Sequence, residues 1–355
     1  LDADAGHYVD STGSDSQTEC AVGTYQSATA QTSCLDADAG HYVDSTGSDS
    51  QTECAVGTYQ SSTGQESCLD ADAGNYVGST GQTTQTECAV GTYQSSTGQE
   101  SCLDADAGNY VGSTGQSSQT ECAAGTYQAS TGQSSCTDAD AGYYVPTTGQ
   151  TSETACLAGT YNANTASTTS SDCLDASAGH YVGSTGQTSQ TECSVGTYQS
   201  ATAQTSCLDA DAGYYVDSTG SDSQTECAVG TYQPDAGQTS CLDADVGHYV
   251  DSTGSDSQTE CSVGTYQSDA GQTSCLDADA GHYVDSTGSD SQTECSVGTY
   301  QSDAGQTSCL DADAGHYVDS TGSDSQTECS VGTYQSATGQ ESCLDADAGH
   351  YVDST

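Results

Sequence analysis

Large apolar side chains are sparse in this chain, and they recur on a fixed frame. Tyr8, Tyr25, Tyr42 and their successors follow one another every 17 residues, with one interval of 20 residues between Tyr161 and Tyr181, and a glycine stands two residues before each of them. A fixed period of this kind is typical of repeat proteins, in which each unit buries its surface against its neighbours. The pattern therefore predicts a chain of 17-residue blocks, each centred on Gly-x-Tyr.

Each block is predicted to form a small β-hairpin. In the first block an extended stretch that ends in His-Tyr-Val leads into the turn-forming sequence Asp-Ser-Thr-Gly, and a second polar stretch, Ser14 to Glu19, follows. Gly13 is placed to supply a positive φ in the turn. Pro146 and Pro234 fall at the start of the equivalent turns, where a fixed φ and a missing N–H are tolerated. The predicted fold class is all-β, with small disulfide-rich β-hairpin modules in a linear tandem-repeat rod that has no central hydrophobic core.

Cysteines divide the blocks into two alternating kinds. Residues 1–17 (a plain block) contain no cysteine and residues 18–34 (a cysteine block) contain two, and the pair makes a 34-residue repeat. One cysteine block is longer by three residues, inserted around Thr165 to Ser170. The predicted repeats are 1–34, 35–68, 69–102, 103–136, 137–173, 174–207, 208–241, 242–275, 276–309 and 310–343, followed by a partial repeat at 344–355.

Alignment of the two kinds of block on tyrosine predicts how the cysteines pair. Cys20 falls on Ala3 and Cys34 falls on Gln17, so the plain block lacks both cysteine positions together, as expected if the two form one bridge within a block. The alternative, Cys34 with Cys54 across a plain block, stays open because connectivity cannot be deduced from sequence alone. The predicted pairs are Cys20 with Cys34, Cys54 with Cys68, Cys88 with Cys102, Cys122 with Cys136, Cys156 with Cys173, Cys193 with Cys207, Cys227 with Cys241, Cys261 with Cys275, Cys295 with Cys309 and Cys329 with Cys343.

Neither kind of block can fold by burying a core of its own. The chain contains no Trp, Phe or Met, and an isolated two-stranded hairpin is marginal in water. A bridge that closes a loop of about 15 residues contributes roughly 3 kcal/mol. A plain block has no bridge, so it must gain its order from flanking blocks, from tyrosine packed over glycine backbone, or from a bound cation.

Charge and cysteine content limit the partners and the compartment. The 355 residues include 51 Asp and Glu, 20 Cys and no Lys or Arg. A surface without cations cannot neutralise phosphates, which excludes nucleic acid and argues against contact of this fragment with an anionic membrane. Regularly spaced cysteines in an even number indicate an extracellular or cell-surface location. The same twelve residues stand at 1–12 and at 344–355, so we interpret the sequence as part of a longer repeat array.

The cysteine block resembles the cysteine-rich repeats of ephrin-receptor-like and tumour-necrosis-factor-receptor-like extracellular modules. The likeness rests on Cys54, Gly57 and Tyr59, a Thr-Gly turn and the closing Cys68, and it recurs ten times. The resemblance implies that Cys54 pairs with Cys68 and that modules join into long rods. Family repeats also carry a further Cys-x-x-Cys step, where the plain blocks have alanine, as at Ala37. Such modules serve as stalks, receptors and adhesins alike, so the likeness does not choose among those functions.

Paired aspartates that flank the turn of the plain block are candidate cation ligands. Each pair is present or lost as a whole, and close carboxylates repel unless a cation lies between them, so a shared Ca²⁺ is one interpretation. Duplication of whole repeats also explains the pattern, and we favour it. The candidate metal residues are Asp10 with Asp15, Asp44 with Asp49, Asp217 with Asp222, Asp251 with Asp256, Asp285 with Asp290 and Asp319 with Asp324.

A second acidic motif, Asp-Ala-Asp-Ala-Gly, opens most plain blocks. In an extended strand Asp2 and Asp4 would point to the same face and present two carboxylates together. Asp-x-Asp-x-Gly also opens many Ca²⁺ loops, but the later ligands and the closing Glu are missing here. We favour a solvated acidic surface, so no cofactor is required, and Ca²⁺ is the candidate ion.

Histidine and hydroxyl groups offer little further chemistry. His7 and its six equivalents stand between Gly and Tyr, where other repeats have Asn75 or Tyr143, so we interpret them as exposed surface. Ser, His and Asp recur on a hairpin array that offers no enclosed pocket, so the chain is predicted not to be an enzyme. No Asn-x-Ser/Thr sequon is present. The dense Ser and Thr in the turns serve turn formation or carry O-linked sugars, with candidate O-glycosylation sites at Thr12, Thr46 and Thr80.

Near-identical repeats favour a structural function. A spacer needs the same unit many times, so we expect a component of an extracellular fibre, stalk or filament, with self-association or surface-matrix components as partners. The alternative is a receptor or adhesin ectodomain, with or without Ca²⁺, that binds a ligand through selected repeats. Residues 137–177 are the one stretch with several departures from the consensus.

Overall fold

The structure is a computed structural model that describes residues 2–353, and Leu1, Ser354 and Thr355 lie outside it. Two-stranded antiparallel hairpins are its repeated element, and the described chain contains one short 3₁₀ helix, Ser170–Asp172. The all-β fold class, with hairpin modules closed by disulfides, is therefore confirmed.

The first strand of each hairpin is formed by the two residues after the glycine of Gly-x-Tyr. These strands are His7–Tyr8, Thr24–Tyr25, His41–Tyr42, Thr58–Tyr59, Asn75–Tyr76, Thr92–Tyr93, Asn109–Tyr110, Thr126–Tyr127, Tyr143–Tyr144, Thr160–Tyr161, His180–Tyr181, Thr197–Tyr198, Tyr214–Tyr215, Thr231–Tyr232, His248–Tyr249, Thr265–Tyr266, His282–Tyr283, Thr299–Tyr300, His316–Tyr317 and Thr333–Tyr334.

The second strand is formed by the first two residues of the next block. These strands are Thr18–Glu19, Leu35–Asp36, Thr52–Glu53, Leu69–Asp70, Thr86–Glu87, Leu103–Asp104, Thr120–Glu121, Thr137–Asp138, Thr154–Ala155, Leu174–Asp175, Thr191–Glu192, Leu208–Asp209, Thr225–Glu226, Leu242–Asp243, Thr259–Glu260, Leu276–Asp277, Thr293–Glu294, Leu310–Asp311, Thr327–Glu328 and Leu344–Asp345.

The hairpins are shorter than the sequence predicts. Tyr8 pairs with Thr18 and His7 with Glu19, so the predicted stretch Ser14 to Glu19 is strand only at its end. Several of the remaining backbone groups of each block bond to other blocks. Because those bonds satisfy the backbone without lengthening the ladder, two residues per strand are enough.

Hydrogen bonds between blocks repeat along the chain. The Gly23 N–H donates to the Val43 carbonyl at 2.8 Å, and the Gly64 N–H donates to the Ala37 carbonyl at 2.8 Å. The longest such bond among the described residues, from the Gly186 N–H to the Cys156 carbonyl, joins residues 30 positions apart (186 minus 156). Each block therefore holds only its near neighbours in sequence, as expected for a repeat array.

Glycine is required where two blocks approach each other. The glycine of Gly-x-Tyr has a positive φ, +83° at Gly57, and a Cβ there would overlap the carbonyl oxygen of Gly98. The turn glycine also has a positive φ, as predicted for Gly13, where it is +87°. Ala30 takes this second position with φ at 59°, so the turn tolerates a small side chain while the contact between blocks does not.

The buried side chains are small and recur at fixed positions of the block. The third residue is Ala or Cys, and it is buried in every block from Ala3 to Cys329, as at Ala37 and Cys54, which are 0% exposed. The ninth residue is buried Val in most plain blocks, such as Val77, and buried Gln in most cysteine blocks, such as Gln60. Leucines that begin the plain blocks stay half exposed, as Leu35 shows. Among residues 2–353 the largest fully buried apolar side chains are valines, so the buried positions do not build a large hydrophobic core.

The chain divides into two compact units. One comprises Leu1–Leu174 with Ser184–Ser189, and the other comprises Asp175–Gly183 with Gln190–Thr355. Within each unit the same hairpin register and the same bonds between blocks recur.

Candidate functional site

Ten disulfides close the cysteine blocks, each within its own block. Cys20 is bonded to Cys34, Cys54 to Cys68, and so on to Cys329 with Cys343, with Cα atoms 5.7 to 5.8 Å apart. The bridge spans 17 residues from Cys156 to Cys173 and 14 residues in the others. The alternative pairing across a plain block does not occur, so every bridge is a local closure.

Plain blocks are closed by side-chain hydrogen bonds, which we call the Gln–Asp clamp. In the second plain block the Asp38 N–H donates to Gln51 Oε1 at 2.7 Å, and Gln51 Nε2 donates to Asp38 Oδ2 at 2.7 Å. The clamp joins the fourth and last residues of a plain block, whereas the disulfide joins the third and last residues of a cysteine block. A plain block is thus closed at the same place without a covalent bond.

Eight plain blocks have both bonds of the clamp. The backbone bond measures 2.6 to 2.9 Å and the side-chain bond 2.7 to 3.0 Å in Asp4–Gln17, Asp38–Gln51, Asp72–Gln85, Asp106–Gln119, Asp211–Gln224, Asp245–Gln258, Asp279–Gln292 and Asp313–Gln326. In a ninth block Ser177 replaces the aspartate, and its N–H and hydroxyl both donate to Gln190 Oε1. Sequence reasoning missed the clamp, although the recurrence of Gln at the last position was visible in the repeats.

Cysteine blocks also contain a glutamine that fixes their loop. Gln60 is 4% exposed, its Nε2 donates to the Ser67 carbonyl at 2.9 Å, and its Oε1 accepts from the Ser62 N–H at 3.1 Å. Equivalent bonds recur at Gln26 and Gln94. A buried amide with both of its polar atoms bonded incurs no desolvation penalty from an unpaired group. This side chain therefore orders the loop that the disulfide encloses.

Residues 137–173, the fifth repeat, depart from both patterns. Glu153 replaces the clamp glutamine, and only the bond from the Asp140 N–H to Glu153 Oε2 remains, at 2.7 Å. Asn162 replaces the buried glutamine, and its Nδ2 donates to Ser167 Oγ at 2.7 Å. Desolvation raises the pKa of the Tyr127 hydroxyl, and the negative charges of Glu153 and Asp140 raise it further. The plain block of this repeat is therefore closed by a different group, and a different amide orders the loop of its cysteine block.

The three inserted residues are accommodated by a short helical turn. The N–H groups of Thr168 and Thr169 both donate to Asp172 Oδ2 at 3.0 Å, at the start of Ser170–Asp172. A carboxylate at a helix start accepts backbone N–H groups that have no partner within the helix. The insertion thus carries its own cap and leaves the Cys156–Cys173 bridge in place.

Two of the six predicted cation pairs line open hollows at the surface. Asp217 and Asp222 line one hollow of about 430 Å³, and Asp285 and Asp290 line an equivalent one of about 440 Å³. In the first of these, neighbouring serines donate to both carboxylates, to Asp217 Oδ1 at 3.2 Å and to Asp222 Oδ1 at 3.0 Å. Within residues 2–353 no group of three or more His, Cys, Asp or Glu is arranged to hold a metal ion. The Ca²⁺ hypothesis stays a prediction.

The two aspartates of Asp-Ala-Asp-Ala-Gly have different contacts. The carboxylate of Asp38 belongs to the clamp with Gln51. Asp36 lies instead over the turn of a later block, where a Cβ on Gly64 would be 3.4 Å from its carboxyl carbon. The motif therefore serves closure of its own block and contact with another block.

Six of the seven histidines are half-buried in the hairpins, which corrects the interpretation of these side chains as exposed surface, whereas His350 is exposed. His180 is paired across the hairpin with Glu192, with Nε2 3.9 Å from Glu192 Oε1, and its side chain is 23% exposed. The same contact measures 3.9 Å from His248 and 3.8 Å from His316. The reason for the burial is the cross-strand register, which lays the ring against the glutamate chain.

Candidate O-glycosylation sites are accessible. Thr12, Thr46 and Thr80 lie in exposed turns. An equivalent residue in a later block, Thr114, donates its hydroxyl to Glu87 Oε2 at 2.9 Å, which shows the structural use of this position. O-glycosylation stays a prediction.

Among the described residues no helix is both long enough and apolar enough to cross a membrane.

One known family matches parts of the chain. The family described as tyrosine-protein kinase ephrin type A/B receptor-like matches residues 6–54, 213–261, 247–295 and 293–329, and no curated protein matches the chain. The matched segments are therefore similar to the ephrin-receptor-like family, and the repeats between them share their disulfide pairing and hairpin register.

Proposed function

We propose that this chain is a structural component of an extracellular fibre, stalk or filament, in which the number of repeats sets the length. Its disulfides and its family indicate an extracellular repeat protein. The observation that carries the proposal is the recurrence of one set of contacts from block to block. The bond from the Gly23 N–H to Val43 reappears at Gly57 and Gly91, each at 2.8 Å, and a glycine fits against a neighbouring carbonyl at each of these positions. The same contacts therefore position each added block, however many blocks the chain contains.

The surface supports the same function. With 51 acidic residues and no Lys or Arg, the like charges along the chain repel one another, which favours solubility and extension. The hollows at the surface are open and polar, which does not suit the enclosed, mainly apolar pocket that catalysis needs. We therefore propose a role without catalysis, with surface-matrix components or further copies of the chain as partners.

Removal of whole repeats tests the proposal. Joining residue 241 directly to residue 310 deletes two of the ten full repeats and leaves native sequence at the junction, because 242 and 310 begin the same motif. We expect the longest dimension, measured by small-angle scattering or electron microscopy, to shrink by about a fifth while the melting temperature stays unchanged. An unchanged longest dimension in a folded protein would contradict a length-setting role.

A second candidate is a receptor or adhesin ectodomain that binds through the fifth repeat. Leu157 is 73% exposed there, at a position where other cysteine blocks have Ala or Ser. Replacing residues 137–173 with the sequence of 35–68 should then abolish binding to a surface matrix, whereas a stalk would retain all of its properties. Melting with and without a calcium chelator tests the Ca²⁺ variant of this candidate, which predicts a lower melting temperature after chelation.

A further inference from the structure

The disulfides determine which residues a pulling force can reach. Tension applied to the ends of a chain passes along its covalent bonds, so it crosses a cysteine block through the bridge between Cys261 and Cys275 and bypasses residues 262–274. We call such bypassed residues the enclosed loop. Nine bridges that span 14 positions and one that spans 17 keep about two fifths of the chain out of the load.

Plain blocks have no covalent bypass, so they carry the whole load. The segment from Cys275 to Cys295 spans 20 positions (295 minus 275) and is closed by the clamp, in which the Asp279 N–H donates to Gln292 Oε1 at 2.6 Å and Gln292 Nε2 donates to Asp279 Oδ2 at 2.7 Å. Hydrogen bonds exposed to water are weak, whereas a disulfide is covalent. A plain block therefore opens under tension while the bridges hold, and its segment extends to at most about 70 Å.

The enclosed loop carries the contacts on which the next plain block docks. The Gly264 N–H donates to the Val284 carbonyl at 2.8 Å, and the Gly264 carbonyl accepts from the Ala278 N–H at 2.9 Å. The Gln267 N–H donates to the Ser289 carbonyl at 3.1 Å. These partners belong to residues 276–292, so a loop that stays closed keeps the donors and acceptors that position an opened plain block again.

The inside of the enclosed loop is held by bonds that no tension crosses. The Gln267 side chain is 3% exposed, its Nε2 donates to the Ser274 carbonyl at 2.8 Å, and its Oε1 accepts from the Asp269 N–H at 3.2 Å. All three residues lie between Cys261 and Cys275. The bridge thus protects the internal order of the loop while the plain blocks on either side are pulled.

We propose that the repeat array is an extensible element, in which plain blocks open one at a time under tension and refold on enclosed loops that stay closed. The proposal rests on the stalk or fibre function for the source of the tension. Refolding needs only local contacts, because the bonds between blocks among the described residues join positions at most 30 apart. The bridges also set an upper limit to the extension, which a chain with clamps alone would lack.

Single-molecule force spectroscopy of the whole chain, held at its two ends, tests the proposal. We expect a series of steps, each no longer than about 70 Å. The fully extended length should be roughly two thirds of that measured after reduction of the disulfides. Opening of the whole chain in a single event would overturn the proposal.

A bridge added to a plain block tests whether that block is the part that extends. Ala278→Cys with Gln292→Cys places cysteines at the third and last positions of residues 276–292, as in a cysteine block. Once thiol titration shows that the bridge has formed, we expect the extended length to fall by about 40 Å, and reduction should restore it. An unchanged extended length would overturn the proposal.

Two glutamine variants test the path of the load and need no new bridge. Gln292→Ala removes the clamp and should lower the force of one step, because forced opening follows the unfolding rate of the loaded block. Gln267→Ala is the matched control inside an enclosed loop and should leave all step forces unchanged. Equal effects of the two variants would show that the loop carries load, and the proposal would fail.

Relaxation of the extended chain tests the function of the loops in refolding. With its bridges intact the chain should regain its folded length at least about tenfold faster than the reduced chain, which must close each loop again. Equal rates would overturn the proposal. These outcomes are separate from the repeat-deletion test, because a chain that extends in one event or refolds slowly can still set a length by its number of repeats.

Discussion

Plain and cysteine blocks share one hairpin register and one set of bonds to their neighbours, yet a disulfide closes the one and a pair of hydrogen bonds closes the other. Cys54 and Cys68 join the third and last residues of their block, while Asp38 and Gln51 join the fourth and last residues of theirs. Because the closures coincide in place, the bond itself is not what determines the shape of the block. The disulfide is expected to add stability to a geometry that glycine contacts between blocks already define.

The largest expected effect is the loss of a disulfide. Cys261→Ser with Cys275→Ser opens a 14-residue closure, which should lower the local free energy of unfolding by roughly 3 kcal/mol. Hydrogen exchange across 259–275 measures this, and the plain block at 242–258 is the internal control. If exchange in the plain block rises as much as in the cysteine block, closure is not local and the distinction between the two kinds of block fails.

The next effect tests whether glycine contacts define the shared geometry. Gly57→Ala places a methyl group against the carbonyl of Gly98 at a φ of +83°, so we expect a loss of about 2 kcal/mol. Gly78→Ala is the matched control, because its added Cβ would meet its nearest atoms at 3.5 to 3.9 Å. Chemical denaturation of both variants measures the difference. Equal stability of the two variants would mean that the contact between blocks can adjust to the added methyl group with little loss of free energy of unfolding.

The frame of this fold could be predicted because its marker residues recur at fixed spacings. Tyr25 and Gly23 recur at one spacing, and Cys20 with Cys34 disappear together, so block length and local closure follow from alignment alone. The short strands could not be predicted, because the backbone groups left outside them bond to blocks 14 to 30 residues away, and no local pattern encodes those partners.

The closure of plain blocks was harder to predict for a chemical reason. Gln51 is one of many polar residues in a chain rich in Ser, Thr and Gln, and its role depends on the distance to Asp38, which only the folded turn provides. The paired aspartates suggested a cation site, because carboxylates are common cation ligands. In the structure, a glutamine amide closes the plain block instead. The His180 side chain is likewise half-buried because it packs against the paired strand, and its neighbours in sequence do not indicate that strand.

A smaller effect is expected when a clamp is removed. Gln258→Ala deletes both bonds to Asp245, each of 2.7 Å. Because the clamp is exposed to water, we expect a loss of only about 1 kcal/mol, visible as faster exchange within 242–258. Gln82→Ala is the control, since the Gln82 side chain bonds only locally, to the Thr80 carbonyl at 3.3 Å. A loss as large as that of a disulfide would mean that plain blocks depend on the clamp for their geometry as well as their stability.

The smallest effect concerns Tyr127, the one tyrosine beside the unusual clamp whose pKa is raised, first by desolvation and then by Glu153 and Asp140. E153Q removes one of these charges and should lower the pKa of Tyr127, whereas Glu121→Gln should not change it. Because the pKa is higher in the folded chain, its contribution to stability is intact below about pH 10 and is lost as the pH rises through the folded value. Tyrosine-ring carbon NMR, with Tyr127→Phe for assignment, follows the titration. An unchanged Tyr127 pKa in E153Q would show that water screens the Glu153 charge. The plain block of the fifth repeat would then differ from the other plain blocks only by its missing hydrogen bond.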